Sequence, residues 1–328
     1  MIDLHMHLNG SLSASIVIKL AKKHGVSLPT YDEEELKKLI SVPLDCDSLN
    51  EYLKCTKIPR LVTQTKEGIC DAVSMLLDEL KKQGLIYAEI RFAPQRHRDN
   101  GLSQEEVVLS ALEGLAKASI KAKLILCCMR GNDLEKENIE TIDLAKKYLN
   151  MGVGGVDLAG AEALFPTQDY KNVFDYAKEL GVPITIHAGE ADGPESVATA
   201  LDMGATRIGH GIRSIYDERL IKRLIDENVT LEMCPSSNFQ TKAVMAKKDY
   251  PLRSFLDWGV RVTINTDNKT ISSTQLEGEF EFAEKELGLK RKERQLLYKN
   301  AIEASFTTEA EKKELYELLN KNSKQKDC

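Results

Sequence analysis

The sequence predicts an α/β fold: a (β/α)8 TIM barrel with extra helices in the first β-α crossover and at the C-terminus. Three observations predict it: eight short apolar runs, helical segments between them, and a gathering of histidine, acid, amide and glycine where the runs end. The runs span residues 2–8, 85–92, 123–129, 155–159, 184–187, 207–210, 229–233 and 260–264. They have the length and the β-branched or apolar make-up of buried strands. Strand alternating with helix argues for a parallel sheet with right-handed crossovers, and eight repeats close a barrel. No G-x-G-x-x-G follows a strand, which sets aside the open dinucleotide-binding sheet.

In chain order, the first crossover is long, residues 9–84, and should hold additional helices, one of them at 66–82. Helical periodicity with a charged outer face recurs at 104–118, 143–148 and 191–203. Residues 307–328 form a charged, Lys-rich end expected to be helical. No Gly/Ser linker, repeat or low-complexity tract interrupts the chain, so residues 1–328 read as a single domain.

Composition excludes several function classes. With 42% hydrophobic residues among 328, a large core is available, but no run is apolar over the ~18 residues of a membrane helix. A net charge of −6 argues against nucleic acid, which selects clustered Lys and Arg. The opening Met1-Ile2-Asp3-Leu4-His5 has no basic and apolar leader pattern, and seven scattered cysteines suit reduced thiols, so a cytoplasmic location is expected. The expected partner is a small molecule, with no membrane and no nucleic acid; the oligomeric state stays open.

The strand ends carry the chemistry. His5-Met6-His7 places two imidazoles on one face of a strand, about 6.6 Å apart along it. In isolation such a pair is as often structural as ligating. Of six histidines, however, His5, His7, His187 and His210 fall at strand ends, leaving His24 and His97 elsewhere. Three imidazoles, a carboxylate and an open position describe a catalytic zinc site, and His5, His7, His187 and Asp267 fit that description. The cysteines show no C-x-x-C spacing, and the H-x-E with P-C-x-x-C of the nucleobase deaminases is absent.

Six ordered motifs then make a resemblance specific: H5-M-H-L-N-G-S-L12, V156-D-L-A-G-A-E162, I186-H-A-G-E190, G209-H-G211, C234-P-S-S-N238 and N265-T-D267. Together they resemble the adenosine deaminase family over about residues 1–305, and Y87-A-E-I-R-F-A-P-Q95 is similar to its bacterial members. The resemblance implies a hydrolase of purine metabolism holding one zinc ion per chain on His5, His7, His187 and Asp267. It implies substrate contacts from His7, Asn9 (ribose 5′-hydroxyl), Gly160 (backbone N–H to N3) and Asn268 (donor to N7). Zinc can bring the pKa of water from about 15.7 to about 7, which makes hydroxide available to attack C6. His210, an imidazole, suits the base beside that water, and Asp267 also orients it. Glu190, three residues past His187, suits the acid that protonates N1, because a carboxyl in a dry pocket stays protonated near pH 7. Asp157, Glu162 and the Ser236-Ser237-Asn238 turn are expected to support loops.

Many family members have Asp where this chain has Asn9 and Asn268. An amide N–H donates at any pH, so the contact at residue 268 survives. The missing charge at residue 9 keeps open a deaminase of N6-substituted AMP or another 6-aminopurine nucleotide, since an acid there would repel a 5′-phosphate. Adenine deaminases resemble this chain less, having Glu at that position. A catalytically silent metal-binding protein of the same fold should have lost Glu190, His210 or a ligand, and all are present.

Overall fold

The computed structural model describes residues 1–43, 46 and 49–326, with backbone alone at residue 50 and residues 322–326. Eight parallel strands form: β1 (Ile2–His7), β2 (Tyr87–Phe92), β3 (Lys121–Met129), β4 (Val153–Ala159), β5 (Thr185–Ala188), β6 (Arg207–His210), β7 (Thr230–Met233) and β8 (Arg261–Ile264). Each lies within two residues of its expected bounds. They pair in sequence order as two four-stranded ladders, β1 to β4 and β5 to β8. Two bridges close the ring: Val156 pairs with Ile184 between the ladders, and Met6 pairs with Asp267 beyond β8. The barrel is therefore complete, as the alternating pattern required.

The six helices described in the first crossover run from Leu8–Ser11 to Lys66–Lys82, and Glu309–Lys326 forms the C-terminal helix. Residues 44, 45, 47 and 48 of that crossover and residues 327–328 of the expected extension lie outside the described residues. Local signals explain the ends that sequence reading found well. Thr65 caps Lys66–Lys82 by accepting from Gly68 N, and Ser103 with Glu106 forms a capping box on Gln104–Lys117. The expected helix 191–203 starts later, at Pro194, because the N–H groups of residues 191 and 192 donate to Glu162 instead. The segment expected at 143–148 is the end of a longer helix, Glu135–Tyr148.

Alternate strand residues divide the core in two. Leu4, Ile90, Leu126, Val156, Ile186, Ile208, Leu231 and Val262 are buried in one apolar cluster with the surrounding helices. Their neighbours Asp3, His5, Glu89, Arg91, Asp157, Thr185, Arg207 and Glu232 are also buried, on the other face of the same strands. The barrel interior is thus largely polar and ionic rather than filled by branched aliphatic side chains. Among the described residues no helix is long and apolar enough to cross a membrane.

Candidate active site

β1 presents His5 and His7 on one face, β5 carries His187 as its penultimate residue, and Asp267 follows β8. Asp267 has φ +57° and His210 φ +63°, a backbone region that costs a non-glycine residue about 1–3 kcal/mol. Asp267 is held there by β1 from both sides: its N–H donates to His5 O at 2.8 Å, and its carbonyl accepts from His7 N at 2.7 Å. The side chain consequently faces the two imidazoles, with Oδ1 3.5 Å from His5 Nε2 and 3.3 Å from His7 Nε2.

A buried ionic network fixes the rings from behind. His5 Nδ1 donates to Glu232 at 2.8 Å and His187 Nδ1 to Asp157 at 3.0 Å, so both rings turn Nε2 inward. Arg91 joins the two carboxylates, at 3.1 Å from Asp157 and 2.7 Å from Glu232, while Arg207 reaches Glu232 at 2.7 Å and Glu89 at 2.6 Å. Against the cost of burial, Arg91 and Arg207 hold the Glu232 carboxyl well below the usual range. Asp157 therefore does more than support a loop. Arg91, Arg207, Glu89 and Glu232 had no role in the sequence reading, although charges inside Y-A-E-I-R-F and T-L-E-M were a signal: in a buried strand they must be paired.

The donor set suits a metal ion. His5, His7, His187 and Asp267 each offer one atom, all within 4.8 Å of one another. His5 Nε2 is buried without any hydrogen-bond partner, an orphaned acceptor that a cation would satisfy. His7 and His187 bring their Nε2 atoms to 3.1 Å, and at least one of two such nitrogens must lack a hydrogen. Although burial opposes ionisation, the neighbouring imidazoles of His5 and His7 hold Asp267 well below the carboxylate range. Ser237 donates to its Oδ2 at 2.6 Å. Cys234 is also near His5 and His210, and burial pushes its thiol well up.

Glu190 lines the same cavity as His7, His187 and Asp267. Its oxygens lie 3.6 Å from His210 Nε2 and accept from Thr241 Oγ1 at 3.0 Å. Burial, reinforced by the charge of Asp267, pushes its pKa up to about 8. The turn that carries it is clamped by Glu162, which accepts from the N–H groups of residues 189–192 at 2.7–3.1 Å and from Ser196 at 2.6 Å. His210 is held at Nδ1 by the Asn238 amide, 2.9 Å away.

The cavity measures about 360 Å3 and is lined by His7, Asn9, Gly160, His187, Glu190, His210, Asp267 and Asn268. His5, fully buried, is the one expected site residue behind this surface. Gly160 has φ +122°, which permits a backbone approach closed to other residues. Gly10 is required by packing: a Cβ there would lie 1.8 Å from Asn268 Oδ1. Asn268 donates to Asp267 Oδ1 at 2.7 Å. Phe92, Leu53 and Met129 supply apolar wall. His24, set aside in the sequence, bonds Asp71 outside this cavity; His97, also set aside, lines it.

The profile of the family described as adenosine deaminase matches residues 1–322. An adenosine deaminase of Haemophilus ducreyi is 52% identical over 322 residues, covering 96% of this chain and 94% of its own. Among solved structures, an adenine deaminase from Arthrobacter aurescens superposes with a TM-score of 0.85 at 29% identity, covering 98% of both chains. The N6-methyl-AMP deaminase of Arabidopsis thaliana also gives 0.85, at 25% identity, covering 99% of this chain and 97% of its own. A match over nearly the whole length, together with a polar barrel mouth built from the family's ordered motifs, shows that the chain belongs to the adenosine deaminase family.

Proposed function

We propose that residues 1–328 act as one cytoplasmic domain that hydrolyses adenosine, and 2′-deoxyadenosine, to the corresponding inosine and ammonia in purine salvage, with one zinc ion per chain. The observation that carries this reading is the pairing, across one cavity, of a carboxyl kept neutral to about pH 8 with a cluster of three imidazoles and a carboxylate. Bound by His5, His7, His187 and Asp267, zinc supplies Lewis-acid chemistry that brings the pKa of water down to about 7.

The chain's own groups perform the rest. Asp267, ionised and steadied by Ser237, orients the attacking water. His210, whose Nδ1 accepts from the Asn238 amide, presents Nε2–H to that water and stabilises the attacking hydroxide. Attack at C6 moves electron density to N1, where Glu190 delivers its hydrogen. Gly160 N–H meets N3, the Asn268 amide meets N7 with its second hydrogen, and His7 and Asn9 meet the ribose 5′ end. Burial of the ring in the cavity excludes bulk water from these contacts.

One feature favours a second reading. Lys57, Arg60 and Arg96 line the cavity while Asn9 adds no negative charge, an arrangement suited to a 5′-phosphate. Comparing adenine, adenosine, 2′-deoxyadenosine, AMP and N6-methyl-AMP as substrates separates the two. Turnover of adenosine well above AMP is expected; turnover of the nucleotides alone would move the assignment to nucleotide deamination.

A further inference from the structure

His97 follows β2 by one short turn, Pro94–Arg96, and is 1% exposed. Its Nδ1 lies 2.9 Å from the Thr63 carbonyl oxygen. A carbonyl only accepts, so the ring hydrogen sits on Nδ1 and the neutral imidazole keeps a bare acceptor at Nε2. Nε2 makes no hydrogen bond to the protein, yet it is not among the sealed, unpartnered buried atoms, and His97 lines the cavity. Phe92 packs edge-on against the ring with centroids 5.6 Å apart, fixing its plane.

Thr63 ties this histidine to the sugar end of the cavity. Its hydroxyl accepts from Asn9 Nδ2 at 3.0 Å and donates to Arg60 O at 3.0 Å, while its carbonyl holds His97. One residue therefore braces both Asn9 and His97, and both show the cavity an acceptor: Asn9 through Oδ1, its amide nitrogen being engaged, and His97 through Nε2. Burial, aided by the nearby charge of Arg60, pushes the His97 pKa down to about 4, so the acceptor persists at neutral pH.

We propose that His97 is a specificity-determining residue whose Nε2 accepts a hydrogen bond from a secondary hydroxyl, 2′ or 3′, of the substrate's ribose. The assignment rests on the nucleoside reading above, in which Asn9 takes the 5′-hydroxyl. A buried acceptor calls for a donor, and ribose hydroxyls provide one. An ionised phosphate offers only acceptor oxygens and does not satisfy Nε2, whereas a ribose hydroxyl does.

The test measures kcat/KM of the zinc-loaded protein for adenosine, 2′-deoxyadenosine and 3′-deoxyadenosine, in the unaltered chain, His97→Ala and His97→Gln. The unaltered chain is expected to favour adenosine over one deoxy analogue by about tenfold, the value of one good hydrogen bond. His97→Ala should lose that factor for adenosine, mainly through KM, and lose nothing comparable for the analogue lacking the hydroxyl that His97 reads. His97→Gln, which keeps a side-chain acceptor, should retain part of the preference. Each ratio is taken within one protein preparation, so a general loss of folded protein cancels. Equal losses for all three nucleosides, or no loss for any, would overturn the subsite alone. Absence of adenosine turnover by the unaltered chain would overturn the nucleoside reading and the subsite with it.

Discussion

Glu232 Oε2 accepts a 2.8 Å hydrogen bond from His5 Nδ1, and the two residues stand 227 positions apart in the chain. The contact settles which ring nitrogen faces the cavity, because a ring whose Nδ1 carries the hydrogen turns a lone pair outward at Nε2. It also ties the donor cluster to a network in which Arg91 and Arg207 each form two buried ion pairs. Glu232→Gln would leave two buried guanidinium groups short of a charge, at a cost of about 3–5 kcal/mol, and weaken metal affinity about 10–100-fold. Thermal denaturation together with a zinc-chelator competition measures both. Wild-type metal affinity in a folded Glu232→Gln protein would contradict the orienting role.

Glu190 sets an upper pH limit on activity. Its pKa is raised from 4.5 to about 8, mainly by burial, so the acid holds its hydrogen below about pH 8 and loses it above. A fall of kcat/KM as pH rises through about 8 is expected. The sign for stability follows: between pH 4.5 and about 8 the unfolded chain has released a proton that the folded protein retains, so this group makes stability decline as pH rises through that window. Glu190→Gln should show a smaller decline on denaturation across the same window, keep its metal, and lose about 100- to 10,000-fold in turnover.

Glu162 accepts from four successive backbone N–H groups and so seats the turn that carries Glu190. Glu162→Ala would leave these donors unpaired and is expected to destabilise the protein by about 2–4 kcal/mol. Turnover should fall more than zinc content. Denaturant unfolding, metal analysis and steady-state kinetics on one preparation make that comparison.

Gly10 and Asn268 occupy the same space from two ends of the chain. A Cβ at residue 10 would meet Asn268 Oδ1 at 1.8 Å, so Gly10→Ala must push that amide aside. The expected result is a KM increase of about tenfold or more, since a displaced amide loses its hydrogen bond to the purine. An unchanged KM in folded Gly10→Ala protein would show that the Asn268 amide is not displaced.

Asn238 holds the Nδ1 side of His210, whose backbone is already in the left-handed region. Asn238→Leu should lower kcat about 10–100-fold with zinc retained, as expected for loss of a group that orients a catalytic ring. Loss of zinc instead would place Asn238 in support of the ligands.

The sequence made the strands legible as short apolar runs between helical segments, and it made His5, His7, His187 and Asp267 legible because they are residues of metal-binding type at or just beyond strand ends. Of the helices in the first crossover, Lys66–Lys82 was legible from its period and the others only as a length. The charged interior was missed for a physical reason: pairing of Arg91 with Glu232 depends on the register of strands 141 residues apart, which local periodicity does not encode. His97 was missed because its position follows from a loop meeting Thr63, 34 residues away, and no strand end announces it.

Titration of metal-stripped protein with zinc, followed by ammonia release from adenosine, tests the central claim most directly. The account predicts no turnover before addition, a linear rise, and a plateau at one zinc per chain. Full turnover by the stripped protein, or a plateau that requires two ions per chain, would contradict it.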